Sequence, residues 1–291
     1  MIELKYMTPS SSFYRDKDIR DAYLEDDGSG LPLLRFHSLD VLPGIDAAFT
    51  TRYGGVSTGY LSSLNLGFHR GDVPGNVLTN YQRVMRRLDG CLDDVVMTQQ
   101  VHKTKLVKAS RALTVGETLT RKAGETDGLF ADEPGLILSA TFADCVPVFL
   151  ADRNGRCISL IHSGWKGTVE KIAARDTEAM EAMGCAPEDI IAVIGPCISG
   201  DRYEFSTAGA EVFRTVFKEK ACSDIIKRMD DAHSFVDLPA AIWHTLVPAG
   251  VRPDHIHFSG LCTVENREHL FSHRASDVRR GNMNAFLRMR R

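Results

Sequence analysis

Cys145 and His162 are the two side chains best placed to do chemistry together, a thiol and an imidazole at one end of a predicted hairpin. They belong to a stretch, residues 143–168, that reads ADCVPVFLADRNGRCISLIHSGWKGT. Residues 146–151 and 157–161 are apolar runs of strand length, and Asp152-Arg153-Asn154-Gly155 between them has the composition of a tight turn. If the loop residues are Arg153-Asn154, Cys145 faces His162. If they are Asn154-Gly155, His162 faces Pro147 and lies diagonal to Cys145. Either register puts the two roughly 5–8 Å apart at Cβ. A three-residue loop would send them to opposite faces. Asp144 adds a third polar group at that end, and His162-Ser163-Gly164-Trp165-Lys166-Gly167-Thr168 runs straight into a helix start. The free amides of a helix N-terminus can lower a thiol pKa or hold an anion.

The elements that must position this pair are an irregular series of short strands and helices. Strands are expected near residues 31–42, 47–51, 94–101, 104–109, 136–141, 190–194 and 255–259, and the 94–101 strand delivers His102. Helical spacing appears at Val77, Tyr81, Val84 and Leu88, and again from Val169 to Met183, from 205 to 218 and from 238 to 246. The basic tail 279–291 reads as a terminal helix with a solvated face, as does the Arg83–Arg87 cluster. At least one hairpin among mixed elements argues for an α/β or α+β domain, a layered sandwich of mixed sheets flanked by helices. The polar residues 1–30 read as an N-terminal extension and 31–291 as a single domain, with no internal repeat or linker. Arg52-Tyr53-Gly54-Gly55 is a tight loop whose amides could sit near an anion.

A chain of 291 residues with 43% hydrophobic and 25% charged residues has an ordinary globular composition. Its net charge of −3 gives no reason to expect nucleic-acid binding. No apolar run approaches the ~20 residues that span a bilayer, and the N-terminus lacks the pattern of a signal peptide. Seven scattered cysteines without CxxC spacing point to a cytoplasmic protein with reduced thiols.

Several segments, in order, resemble one family. They are Thr50-Thr51-Arg52-Tyr53-Gly54-Gly55-Val56-Ser57, Ser63-Leu64-Asn65-Leu66-Gly67, Gln100-Val101-His102, Thr126-Asp127-Gly128, Ala143-Asp144-Cys145-Val146-Pro147-Val148, His162 to Thr168, Ile194-Gly195-Pro196-Cys197-Ile198 with Tyr203-Glu204, and Phe271-Ser272-His273-Arg274. Together they are similar to the YfiH-like family, also called the laccase-domain, polyphenol oxidase or purine nucleoside phosphorylase family. The resemblance spans roughly residues 35–290. It implies a zinc site formed by His102, Cys145 and His162, with three protein ligands and an open fourth position, the pattern of catalytic zinc. It also implies phosphorolysis of adenosine, inosine, guanosine and methylthioadenosine, and adenosine deamination, with purine nucleosides and phosphate as small-molecule partners. Arg52 then falls at a position suited to phosphate, Asn65 and Arg274 are further substrate-binding candidates, and Asp127 and Asp144 are candidates for ligand orientation or proton transfer. Lys103, Ser163 and Lys166 depart from the family's usual glycine, alanine and arginine, and the last exchange keeps charge but loses bidentate geometry.

Three other functions compete. The older family label implies a copper-dependent polyphenol oxidase, and copper could displace zinc in vitro. Such an oxidase needs many His-x-His pairs, and this chain has one, His255-Ile256-His257. A Cys–His hydrolase acting on cell-wall precursors would use Cys145 as nucleophile. A purely structural zinc would normally have four protein ligands, and the sequence offers no fourth.

Overall fold

The computed structural model describes residues 2–8, 11–276 and 279–291. In chain order its strands are β1 (Ala22–Glu25), β2 (Leu33–Phe36), β3 (Ile45–Thr50), β4 (Val95–Met97), β5 (Leu106–Lys108), β6 (Gly128–Ala131), β7 (Ile137–Phe142) and β8 (Val146–Asp152). Then come β9 (Ile158–Ser163), β10 (Ile190–Ile194), β11 (Glu204–Ser206), β12 (Ile226–Arg228), β13 (His233–Val236), β14 (Ile256–Phe258) and β15 (Met283–Met289). The helices are α1 (His37–Asp40), α2 (Pro74–Arg87), α3 (Trp165–Val169), α4 (Ile172–Glu181), α5 (Thr207–Val216), α6 (Glu219–Ile225), α7 (Leu238–Leu246) and α8 (His273–Ser276).

Two six-stranded mixed sheets, ordered β1-β2-β3-β15-β7-β4 and β14-β10-β8-β9-β6-β5, pack face to face. Phe36 of the first meets Phe149 of the second at 4.8 Å between ring centroids. Helix α2 covers the outer face of the first sheet through Val77, Tyr81, Val84 and Met85. Helices α4 to α7 cover the outer face of the second. Central strands are therefore buried on both faces, which is why β8 and β9 read as continuous apolar runs rather than alternating ones. A three-stranded antiparallel sheet, β11-β13-β12, stands beside them. The α/β layered class expected from sequence is the observed one.

In the β8–β9 hairpin Pro147 pairs with His162 and Val146 with Ser163. Of the registers left open by the sequence, this is the one centred on Asn154-Gly155. The amide of Asp152 bonds to the carbonyl of Cys157 at 3.0 Å, closing a four-residue loop.

Other expectations change. The tail read as a terminal helix is β15, the strand between β3 and β7 in the first sheet. Its arginines misled because Arg288 turns inward to Asp46 (2.7 Å) instead of coating a helix face. Residues 204–206 form a strand before helix α5. The expected 169–183 helix breaks at Lys171, which is left-handed (φ 58°). Cys157 and Cys185 are joined as a disulfide, against the expectation of seven thiols.

Part of the stretch expected as an N-terminal extension is built into the body. Phe13 and Tyr14 are buried against α7 and β14, and Ala22–Glu25 pairs with β2. No described helix is long and apolar enough to cross a membrane.

Candidate metal centre

The hairpin ends, the start of β6 and one crossover loop converge at a single point between the two sheets. Cys145 precedes β8 and His162 lies near the end of β9. Strand β6 runs antiparallel to β9, which sets Asp127 beside His162, whose amide donates to the Asp127 carbonyl at 2.7 Å. Strand β4 belongs to the first sheet and β5 to the second, so residues 98–105 cross between sheets and carry His102 over the pair. His102 is left-handed (φ 57°), a conformation that costs a non-glycine residue roughly 1–2 kcal/mol. One ligand atom each from His102, Cys145 and His162 lies within 4.8 Å of the others. His162 is buried, Cys145 half-buried and His102 exposed, so the group is open to solvent on the His102 side.

Asp127 holds this arrangement, and it is fully buried. Its Oδ1 accepts from the His102 amide (3.0 Å) and bonds His162 Nδ1 (3.0 Å). Its Oδ2 accepts from the amides of Val101 (3.1 Å) and Lys103 (2.9 Å). One carboxylate thus clamps the crossover loop and orients the His162 ring, leaving Nε2 for a ligand bond. Burial pushes the Asp127 carboxyl up, but the bonds from His162 and the loop amides outweigh it and hold it below its ordinary range.

The same balance acts on the thiol. Burial alone raises Cys145, yet His162 and His102 bring it down to about 6. Burial alone lowers His162, yet Cys145 and Asp127 lift it to about 9. In the metal-free pair each group favours the charged form of the other, and a cation bound there would compete with the proton they share. Gly164 makes room: a Cβ there would stand 3.1 Å from His102 Nδ1 and 3.3 Å from Cys145 Sγ. Two imidazoles, one thiolate and a carboxylate behind one ring fit a transition-metal ion. Among the described residues no fourth His, Cys, Asp or Glu joins the group.

The triad opens into a cavity of about 180 Å³ whose wall includes Phe68, His69, Arg70, Arg121, Arg280 and Asn282. Other residues expected at the site stand elsewhere. Arg52 donates to the carbonyls of Ser62 (2.9 Å) and Arg267 (3.0 Å) and lies over the Phe271 ring, away from the cavity wall. Asn65 is buried and bonds Gly67, Asp72 and the Asn282 amide. Asp144 accepts from Thr263 Oγ1 and the Arg274 amide, both at 2.6 Å, and so ties the turn before β8 to the loop at Thr263 and to helix α8. The Arg274 side chain donates to the Glu204 carbonyl and covers Tyr203. Sequence reasoning missed Arg70, Arg121, Arg280 and Gly164. The one local signal for Arg70 was the polar, aromatic loop Phe68-His69-Arg70 directly after the Asn65 motif.

The fold and site define a two-sheet sandwich with a candidate open metal position at the mouth of a cationic cavity. Residues 46–290 match the model of a family described as multi-copper polyphenol oxidoreductase laccase, and the chain belongs to that family. A Deinococcus radiodurans protein named purine nucleoside phosphorylase is 36% identical over 236 residues, covering 81% of this chain and 85% of that one. The Bacillus subtilis purine nucleoside phosphorylase YlmD is 32% identical over 250 residues, covering 84% and 88%. The crystal structure of YlmD from Geobacillus stearothermophilus superposes with a TM-score of 0.84 at 30% identity, covering 94% of this chain and all of that one.

Proposed function

We propose that this chain is a cytoplasmic, zinc-dependent purine nucleoside phosphorylase. Its substrates would be adenosine, inosine, guanosine and methylthioadenosine with phosphate, and adenosine deamination would be a further activity of the same site. The observation that carries the reading is the His102–Cys145–His162 group at the mouth of a cavity. Three such ligands suit zinc and leave a position for substrate. Zinc bound there would supply Lewis-acid polarisation of an oxygen or a ring nitrogen. The names carried by the Deinococcus and Bacillus relatives support the substrate class.

Phosphorolysis forms a bond from a phosphate oxygen to C1′ of the ribose while the bond from C1′ to N9 breaks. The electron pair leaves with the purine, which takes up a proton. Little covalent chemistry falls to the protein, and positioning with charge stabilisation does most of the work. In this reading Cys145 is a metal ligand and not a nucleophile. Asp127 positions His162 and the loop that carries His102, and Asp144 positions the turn before Cys145. Arg121 and His69, in contact at 3.3 Å, offer planar groups on the cavity wall for a base.

The test is incubation of zinc-loaded protein with adenosine and phosphate. Adenine and ribose 1-phosphate are expected, with inosine reporting deamination. Absence of any turnover in protein with zinc bound would refute the proposal. Phenol oxidation that requires copper and survives Cys145→Ala would favour the oxidase reading instead.

A further inference from the structure

Arg70 and Arg280 stand side by side in the cavity wall, and among the described residues neither forms an ion pair with a carboxylate. Both donate to one neutral oxygen: Asn282 Oδ1 accepts from Arg70 Nε at 2.8 Å and from Arg280 Nη1 at 2.9 Å. Asn282 is itself fixed, because Asn65 Oδ1 accepts its amide at 3.0 Å. Gly67 permits the approach, since a Cβ there would come within 2.9 Å of both Arg70 Cγ and Asn282 Oδ1.

Arg280 is 8% exposed, and among the described residues its Nε has no hydrogen-bond partner. Burial and then the charge of Arg70 bring Arg280 down to about 10, so both groups are still cationic at neutral pH. Asp144 draws Arg280 the other way, but its two oxygens already accept from Thr263 and the Arg274 amide. Arg280 is buried and Arg70 half-buried, and among the described residues no carboxylate bonds to either, so holding two like charges this close favours an anion that faces both. Paired guanidinium forks match the geometry of a tetrahedral phosphoryl group.

We propose that Arg70 and Arg280, clamped by Asn282, form the subsite for a phosphoryl dianion beside the triad, and that the anion is inorganic orthophosphate. Its identity rests on the phosphorylase reading: the nucleoside is neutral, so the dianion of that reaction is the phosphate. The 5′-phosphate of a nucleotide carries the same chemistry and is the competing source. Asn65 then acts at one remove, as a positioning residue for Asn282.

The experiment uses the metal-loaded 291-residue chain and titrates it with inorganic phosphate by calorimetry, with adenosine 5′-monophosphate in a parallel arm. Arg280→Gln and Arg70→Gln are each expected to weaken phosphate at least 30-fold and to raise the KM for phosphate with the nucleoside KM changed less than threefold. Arg280→Lys should recover part of the loss, and the surface change Arg86→Gln should leave the wild-type affinity unchanged. Binding should also weaken as salt rises. Arg70 is only half-buried, so its variant carries the test if Arg280→Gln does not fold. Unchanged phosphate affinity in both variants would overturn the subsite. Monophosphate binding through the pair much tighter than orthophosphate would overturn the choice of anion. Orthophosphate held by the pair in a protein that cleaves no nucleoside would leave the subsite standing and remove the phosphorylase reading instead.

Discussion

Asp127→Asn perturbs the triad while leaving all three ligands in place. The wild-type carboxylate receives four donors, two on each oxygen: His102 N and His162 Nδ1 on Oδ1, Val101 N and Lys103 N on Oδ2. An asparagine offers one oxygen and one NH2, so in either orientation two of the four donors face a donor. A hydrogen bond to a charged acceptor contributes about 1.5–3 kcal/mol. The loop lies near the surface and water can reach the orphaned amides, which reduces the loss to about 2–4 kcal/mol in total. Where the asparagine NH2 takes the place of Oδ1, left-handed His102 also loses the acceptor that holds it there. Loss of such a carboxylate behind a ligating histidine typically costs 10–100-fold in metal affinity. Guanidinium unfolding of the metal-free protein and zinc competition against a chelator measure the two effects separately. A variant within 1 kcal/mol of wild type and within threefold in zinc affinity would refute the view that Asp127 organises the centre.

Two further outcomes follow from the same geometry. Gly164→Ala should lower metal affinity at least tenfold with the melting temperature nearly unchanged, since φ −79° suits alanine but the new Cβ would crowd His102 and Cys145; chelator competition reads it, and normal metal affinity would contradict it. Asp176 on α4 is buried, and burial pushes its carboxyl up to about 7 against the opposing pull of Ser159. An unfolded aspartate titrates near 3.9. The group's contribution to stability is therefore complete below about pH 4 and is lost as pH rises through 7. Relative to wild type, Asp176→Asn should gain on the order of 4 kcal/mol between pH 4 and pH 8. Denaturation midpoints that run parallel across that range would exclude a buried Asp176 carboxylate as the cause.

The hairpin was legible because its signals are local. Two apolar runs and Asp152-Arg153-Asn154-Gly155 suffice to bring Cys145 near His162, although the register needed the structure. His102 came from the family resemblance, since nothing local ties a residue 43 positions before Cys145 to it. Asp127 entered as a candidate for ligand orientation through the resemblance, but its hold on the crossover loop was not readable, because it depends on β6 pairing with β9 while the chain between β4 and β5 crosses from one sheet to the other. The cationic wall was hidden for a related reason. Asn65 and Asn282 are 217 residues apart in sequence, and an arginine-rich tail looks like a solvated helix until β15 is seen between β3 and β7. Arg52, whose glycine loop suggested an anion, stands apart from the triad's cavity, with its Nε and Nη1 donating to two backbone carbonyls.

The most direct measurement of the central claim is the zinc X-ray absorption spectrum of the purified chain. One sulfur at about 2.3 Å and two imidazole nitrogens at about 2.0–2.1 Å are expected, with a further light atom completing the shell. In Cys145→Ala the sulfur component should vanish. Zinc with no sulfur neighbour in the wild type, or a sulfur shell that survives Cys145→Ala, would contradict the assignment of His102, Cys145 and His162 as the metal centre.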